Sequence, residues 1–412
     1  MTTGGQFSKR TIDDIPLRGK TVLLRADYNV PLTKSGKVAD DYRIRSSVPT
    51  VKKLLDYGCK VVIISHLGRP DGKRDMAFTL ESAAERLASL LGHPVRFVDD
   101  CIGPKVKMAI KRAPNKSVIV LQNLRFYMGE EANDAVFARQ LAADSGASYF
   151  VQDGFGVVHR AHASTAAITQ YLPSVAGLLL EREYMTITHA MKDPVRPLVA
   201  VMGGAKVSDK IPVIEAMVPV ADTIVVGGAM ANTFLTHEGC SMGASKIESG
   251  QSAVIEAVYD SVDKKVGQSQ RHEALVLPVD VAVGTSLDPT ATKKNVSVSG
   301  VGAKEMALDI GEKSVEKMLK IVHEAKTVIW NGTLGYAEVP AFAAASAALA
   351  KALAENPKKV SIIGGGDTAD FAIHWDKKHG GSFTHVSTGG GASLELMSGA
   401  KLPGIEALMD AQ

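Results

Sequence analysis

Short apolar runs recur along the whole chain, and almost every one ends in a glycine or polar cluster. Thr21–Arg25 opens into A-D-Y-N-V-P, Val61–Ser65 into H-L-G-R-P, Val118–Leu121 into Q-N-L-R-F and Tyr149–Gln152 into D-G-F-G. The runs are continuous, short and rich in β-branched residues, the pattern of strands buried on both faces of a parallel sheet. Helical patterns lie between them. Thr79–Leu91 is the clearest: Thr79 offers an N-cap, apolar positions fall at Leu80, Ala84, Leu87 and Leu91, and Gly92 is a stop. Alternating strand and helix predicts a doubly wound α/β domain.

The second half repeats the style without repeating the sequence. Runs at Leu198–Met202, Thr223–Val226, Ala274–Leu277, Thr327–Trp330, Val360–Ile363 and His385–Ser387 end in G-G-A-K, G-G-A-M, P-V-D, N-G-T-L-G, G-G-G-D-T and T-G-G-G-A. They alternate with helical segments such as Phe342–Leu353. At 412 residues the chain exceeds what one ordinary core holds. The expected organisation is a first domain over 1–178, a connecting helix and hinge over 179–197, and a second domain over 198–392. Within the join, Leu179–Met191 reads as the helix and Lys192-Asp193-Pro194 as its close. After Ala392 a helix over Ser393–Met397 gives way to a short coil, and the first eight residues read as a loose tail.

Composition narrows the function. A formal net charge of +3 is too small to argue for nucleic acid. Cys59, Cys101 and Cys240 form no C-x-x-C pair and no metal spacing, which suggests reduced thiols in a cytoplasmic setting. No apolar run is long enough to span a membrane, and the start lacks the apolar core of a signal peptide.

In open α/β sheets, ligands bind outside the carboxyl ends of the strands. The first rim so defined is basic: Arg25, Asp27, Asn29, Arg43, His66, Arg69, Arg125, Arg160 and His162. Arginine forks match carboxylate and phosphate oxygens, so these loops suit a small molecule with several negative charges. Structural ion pairs are the alternative, and Arg25, nearest the strand body, suits internal pairing best. The second rim is glycine-rich: Gly203-Gly204, Gly227-Gly228, Gly332, Gly335, Gly364–Gly366 and Gly389–Gly391. Such a rim suits a nucleotide, with backbone approach for phosphates and a flat slot for a base. In G-G-A-K-V-S-D-K, Lys206 and Lys210 share a helical face if the helix has begun by Lys206. The stretch is no Walker A loop, and a solvated helix start carrying two lysines has the same sequence. Asp367 suits Mg²⁺ on phosphate oxygens, or an N-cap for a helix starting at Thr368 or Ala369.

R-A-D-Y-N-V-P, S-H-L-G-R-P, Q-N-L-R-F, D-G-F-G…H-R-A-H, G-G-A-K-V-S-D-K, N-G-T-L-G, G-G-G-D-T and S-T-G-G-G-A-S-L-E-L occur in that order. With them the chain resembles the phosphoglycerate kinase family over almost its whole length. The resemblance implies two doubly wound parallel-sheet domains joined by a helix, with 393–412 folding back on the first. It implies reversible transfer of the acyl phosphate of 1,3-bisphosphoglycerate to Mg-ADP, giving 3-phosphoglycerate and ATP in glycolysis, in a monomer. By motif match, Asp27 and Asn29 hold the hydroxyl and carboxylate end of the glycerate, and His66, Arg69, Arg125 and Arg160 the rest. Arg43 reaches the transferring phosphoryl group. Lys206 and Lys210 touch the nucleotide's phosphates, Lys206 also the moving group. Asn331 lies by the phosphates, Glu338 by the ribose, and Gly366, Asp367 and Thr368 by metal and phosphate. Gly204, Gly227, Gly228, Leu308 and Gly335 line the adenine slot, and Gly389, Gly390 and Gly391 give backbone N–H groups to the transferring phosphoryl.

The chain departs from the family pattern at Thr333 and Leu334, where Pro with Met or Val is usual, and at Asn232, Ala229 and Gly154. These departures touch the nucleotide slot and nearby packing rather than the charged residues. Phosphoryl transfer needs positioning and charge stabilisation more than a nucleophile, so the three cysteines read as core or surface thiols. A nicotinamide dehydrogenase would need a G-x-G-x-x-G turn that is missing. A catalytically silent nucleotide-binding scaffold would be expected to lack Arg43, Lys206, Lys210 or Asp367, and all four are present.

Overall fold

Successive residues of a strand point to opposite faces of a sheet. In the first half of the chain both faces are apolar. Val22, Leu24, Val61, Ile63, Val118 and Val120 pack into one core cluster. Leu23, Val62, Ile64, Ile119 and Leu121 pack into another. A strand in this position needs apolar residues throughout, which is why these runs are unbroken.

The computed structural model describes residues 6–411 apart from Asp209 and Pro289. The chain divides into two compact units, one of Met1–Met185 with Lys401–Gln412, the other of Thr186–Ala400. The division falls within the helix Leu178–Lys192.

Unit one is built on β1 (Thr21–Arg25), β2 (Lys60–Ile64), β3 (Val95–Val98), β4 (Val118–Leu121), β5 (Tyr149–Gln152) and β6 (Ser174–Ala176), in the order β3-β4-β2-β1-β5-β6. All its pairings are parallel. Unit two has β7 (Leu198–Met202), β8 (Thr223–Val226), β9 (Leu275–Val276), β10 (Asp280–Gly284), β11 (Lys294–Ser297), β12 (Met306–Ile310), β13 (Thr327–Asn331), β14 (Val360–Gly364) and β15 (His385–Val386). Its main sheet is parallel in the order β15-β14-β13-β7-β8-β9. In each sheet the first strand sits centrally, between an early neighbour and a late one. The strand order therefore reverses beside β1 and beside β7, and the loops leaving those strands open the crevices where α/β sheets bind ligands.

Four local expectations are corrected. The first helix after β2 is Glu81–Leu91, with Leu80 at its cap and no side-chain cap bond. Thr79 is drawn instead to the buried Gln122, whose Nε2 donates to its hydroxyl at 3.0 Å, while Gln122 Oε1 accepts from Leu80 N at 3.1 Å. Gly92 does stop that helix, at φ 61°. A second sheet in unit two, β11-β10-β12, is antiparallel and was not anticipated. The N-terminal segment is not loose where it is described: Phe7 is buried, and its ring meets Tyr184 edge-on at 5.2 Å. The coil after residue 397 contains the short helix Pro403–Glu406, which buries Leu402, Ile405 and Leu408. Gly404 N donates to Val158 O at 2.8 Å, and Met409 N to Ser174 O at 3.0 Å.

Candidate active site

Arg25 ends β1 and is almost fully buried. Its Nε donates to Ser164 Oγ at 2.8 Å, and Ser164 Oγ donates to Glu130 Oε1 at 2.6 Å. Glu130 is itself fully buried, 3.9 Å from Arg25. Arg25 is therefore internal structure. Asp27 follows it and takes Arg43 Nη1 on Oδ2 at 2.8 Å. Asn29 Oδ1 accepts from Gly68 N at 2.9 Å, which ties the loop after β1 to the loop after β2. Arg125 donates to Gly68 O at 2.7 Å and pairs with Glu131 at 3.1 Å, but its buried Nε has no partner. Arg69 and Arg160 are exposed, and no carboxylate pairs with either among the described residues. The alternative of structural ion pairs thus accounts for Arg25, and in part for Arg43 and Arg125, but not for Arg69 and Arg160.

The chemistry of His66 follows from its neighbours. It is buried, and Arg25 Nη2 lies 3.2 Å from its Nδ1. A guanidinium can only donate, so Nδ1 accepts and the ring proton sits on Nε2. Burial, with Arg25, Arg125 and Arg43 nearby, holds its pKa well below the ordinary value of 6.5. The ring is a neutral donor. Burial, with Arg125, Arg25 and Arg160 nearby, brings His162 down to about 4. The fold keeps both rings neutral, whereas the unfolded chain protonates each below pH 6.5. Stability is therefore full above that pH and is lost as pH falls towards 4. His162 alone should account for ~2 kcal/mol between pH 6.5 and pH 5. Urea midpoints at pH 7 and pH 5 measure the loss, and His162→Gln should make it shallower; an unchanged slope would show that His162 is not held neutral.

In unit two the loops after β7, β8 and β13 bond to one another. Gly203 N donates to Asn331 O, Gly204 N to Thr333 O and Gly228 N to Leu334 O, each at 2.9 Å, and Met230 N donates to Gly204 O at 3.0 Å. Two glycines permit this. Gly228 has φ +63°, and a Cβ there would lie 2.7 Å from Gly204 N. Gly332 has φ +98°, and a Cβ there would lie 2.1 Å from Gly203 O. Trp330 Nε1 donates to Gly332 O at 2.8 Å from a fully buried ring. These loops floor a cavity of about 370 Å³. It is lined by Gly204, Gly228, Leu308, Gly335, Glu338 and Asp367 from the expected set, and by Ala229 and Thr333. Met306, Ala307 and Leu308 come from the unanticipated antiparallel sheet; Ala205, Lys246, Leu287 and Tyr336 complete the lining, and no local sequence signal marked the last three.

Beside the cavity lies a group of polar atoms. Lys210 Nζ donates to Asn331 Oδ1, and its Cε is 3.8 Å from where a Gly204 Cβ would be. Asn331 is fully buried, and its Nδ2 has no partner. Gly332 N donates to Thr368 Oγ1 at 2.7 Å. The helix Gly366–Trp375 and the helix Gly390–Met397, capped by Gly389, begin side by side: a Cβ on Gly390 would lie 3.7 Å from Gly366 N. Two sets of unpaired helix N–H groups, an amide and an ammonium suit oxyanions. Gly227 caps the helix Gly228–His237 and lies outside the cavity lining.

Two expectations about this rim change. Lys206 and Lys210 do not share a helical face, because the helix starts at Ile211 with Lys210 as its cap. Lys206 stands on an exposed loop held by the buried Val207. Asp367 is not an N-cap, since Gly365 caps that helix at φ 88° and Asp367 lies in its first turn. Among the described residues no group of three or more His, Cys, Asp or Glu could hold a metal by itself. Asp367, which lines the cavity along with one other carboxylate, Glu338, fits Mg²⁺ that arrives on phosphate oxygens and keeps its waters. Among the described residues no helix is long and apolar enough to cross a membrane.

Comparison with known proteins bears on all of this. Residues 12–400 match the family model described as phosphoglycerate kinase. The chain is 44% identical over 407 residues to a phosphoglycerate kinase of Pelotomaculum thermopropionicum, covering 98% of this chain and 100% of the relative. It is 43% identical over 409 residues to one of Dictyoglomus turgidum, with coverage of 98% and 100%. Among solved structures it is similar to the phosphoglycerate kinase of Coxiella burnetii, with a TM-score of 0.81 and 34% identity over 97% of this chain and 98% of that one.

Proposed function

The chain belongs to the phosphoglycerate kinase family, and from that premise we propose that it transfers the acyl phosphate of 1,3-bisphosphoglycerate to Mg-ADP, reversibly, as a step of glycolysis. It is a kinase with two parallel-sheet α/β units. Unit one takes the glycerate and unit two the nucleotide. The observation that carries the reading is the cavity of unit two, lined by the apolar Leu308 and Met306 and by the polar Lys246, Glu338 and Asp367. A base and its phosphates have that same polarity.

In this reading Arg69, Arg125 and Arg160 bind the glycerate's phosphate, Asp27 and Asn29 its hydroxyl and carboxylate end, and His66 donates from Nε2. A β-phosphate oxygen of ADP attacks the acyl phosphorus in line, and the bond to the carboxyl oxygen breaks, leaving a carboxylate. Charge builds on the equatorial oxygens in transit, and preorganised donors stabilise it. Arg43, Lys206 and the N–H groups at Gly389, Gly390 and Gly391 are placed in that role. Gly204, Gly227, Gly228, Leu308 and Gly335 hold the adenine, Glu338 the ribose, and Lys210, Asn331, Gly366 and Thr368 the nucleotide's phosphates. Mg²⁺, carried by the nucleotide and held by Asp367, supplies charge neutralisation to its phosphates. The two substrates belong to different units, so transfer requires the units to close about the connecting helix, which also excludes water from the acyl phosphate.

A coupled assay with 3-phosphoglycerate and Mg-ATP tests the proposal. Turnover is expected; ADP binding without turnover would instead favour a silent scaffold. Asp367→Asn is expected to raise the Mg²⁺ concentration needed for half-maximal rate about tenfold or more, in keeping with the loss of one of few protein ligands. An unchanged magnesium titration would remove Asp367 from the metal's surroundings.

A further inference from the structure

The loop carrying Lys206 is exposed at Ala205, Lys206 and Ser208, yet it must hold an ammonium in place. Among the described residues, the support it receives at Ser208 comes from one carboxylate. Ser208 N donates to Glu248 Oε2 at 3.0 Å, and the Ser208 hydroxyl donates to Glu248 Oε1. Both oxygens of Glu248 thus grip one residue, two positions from Lys206. The Ser208 hydroxyl, then its N–H, hold the Glu248 carboxyl below the usual range, and the Lys206 charge adds to this.

Glu248 is anchored in turn. Its N–H donates to Thr233 Oγ1 at 3.1 Å. One residue earlier on the same helix, Asn232 Nδ2 lies 3.3 Å from both Lys246 O and Ala307 O. Asn232 and Thr233 are buried on the helix Gly228–His237, whose first residues line the cavity. A chain of short contacts therefore runs from the cavity wall through Glu248 to the lysine loop. Asn232 pins Lys246 at one end of the segment 246–248, and Thr233 pins Glu248 at the other.

We propose that Glu248 is a positioning residue, whose two-point grip on Ser208 holds the loop so that Lys206 meets the nucleotide's terminal phosphate. The proposal rests on the reading of unit two as the nucleotide unit. Charge-assisted bonds are about twice as strong as neutral ones, and a shift of about 1 Å in a positioned group can cost on the order of 10²-fold in rate. The effect should fall on the phosphates and leave the base slot alone.

The test compares ADP with adenosine, which fills the cavity without phosphates. Glu248→Ala is expected to lower kcat roughly tenfold or more and to weaken ADP several-fold, with adenosine affinity unchanged. Ser208→Ala, an exposed change that spares the fold, should show the same pattern more weakly, because its N–H still bonds. Ser208→Thr, which keeps both donors, should restore wild-type values. Equal losses for ADP and adenosine would make Glu248 a cavity support and overturn the proposal, as would an unchanged kcat and ADP affinity in both alanine variants. If the wild-type protein bound neither ligand, the nucleotide reading itself would fall.

Discussion

Lys206→Ala is expected to lower turnover on the order of 10²-fold or more, the scale of losing one preorganised charge donor. Lys206 is exposed on a loop that leaves β7 at the strand-order reversal, so its ammonium can reach a ligand above the sheet. Lys210 differs: its ammonium already bonds the buried Asn331 beside the cavity of unit two. The two substitutions should therefore separate. Lys206→Ala should act on kcat with ADP binding kept within a few-fold, whereas Lys210→Ala should raise the KM for ADP more than it lowers kcat. Steady-state kinetics in both substrates, with single-turnover rates for the chemical step, make the distinction. A near-normal kcat for Lys206→Ala would remove it from the moving phosphoryl group.

Arg25→Met is expected to destabilise unit one by ~3–5 kcal/mol, the usual cost of leaving one member of a buried charge pair alone. Arg25, Ser164 and Glu130 are all but completely buried. Burial already pushes the Glu130 carboxyl up, and Arg25 is the charge that opposes this most. Without Arg25, Glu130 must protonate or remain an uncompensated charge. The double variant Arg25→Met/Glu130→Gln should recover most of the loss, because replacing a buried pair together is often nearly neutral. Denaturant titrations of wild type, Arg25→Met, Glu130→Gln and the double variant measure the coupling; additive losses would mean that the pair has no special energy. The single variant should also free His66, whose Nδ1 faces Arg25 Nη2.

The strands legible from sequence are those buried on both faces. The bounds of β1, β4, β5, β7 and β8 match the apolar runs residue for residue. Their burial requires unbroken apolar sequence, and unbroken sequence is easily read. Three of the missed strands lack that demand, whereas β10 escaped notice although all five of its residues are buried. β11 is K-N-V-S, mostly exposed, β3 is half-exposed at a sheet edge, and β6 has only three residues. The missing antiparallel sheet mattered, because Met306, Ala307 and Leu308 are cavity wall. Within the candidate site, the motif residues were nameable, but the contacts that define them were not. Ser164 joins Arg25 across 139 positions and Glu248 joins Ser208 across 40. No local pattern encodes a partner at that distance.

The last residues of the chain lie in unit one, where Lys9 Nζ reaches Leu408 O at 3.1 Å and Asp410 at 2.7 Å. Gly404 backs directly on Val158, close to the loop that bears Arg160. Synthesis runs from the N-terminus and domains tend to fold as they emerge, but this unit lacks a piece of its wall until the codons from Lys401 onward are read. Residues 186–400 leave the ribosome before that piece and can settle while the earlier part waits. The unit begun first is thus completed after its neighbour, and a chain cut before Lys401 carries the basic rim without that backing.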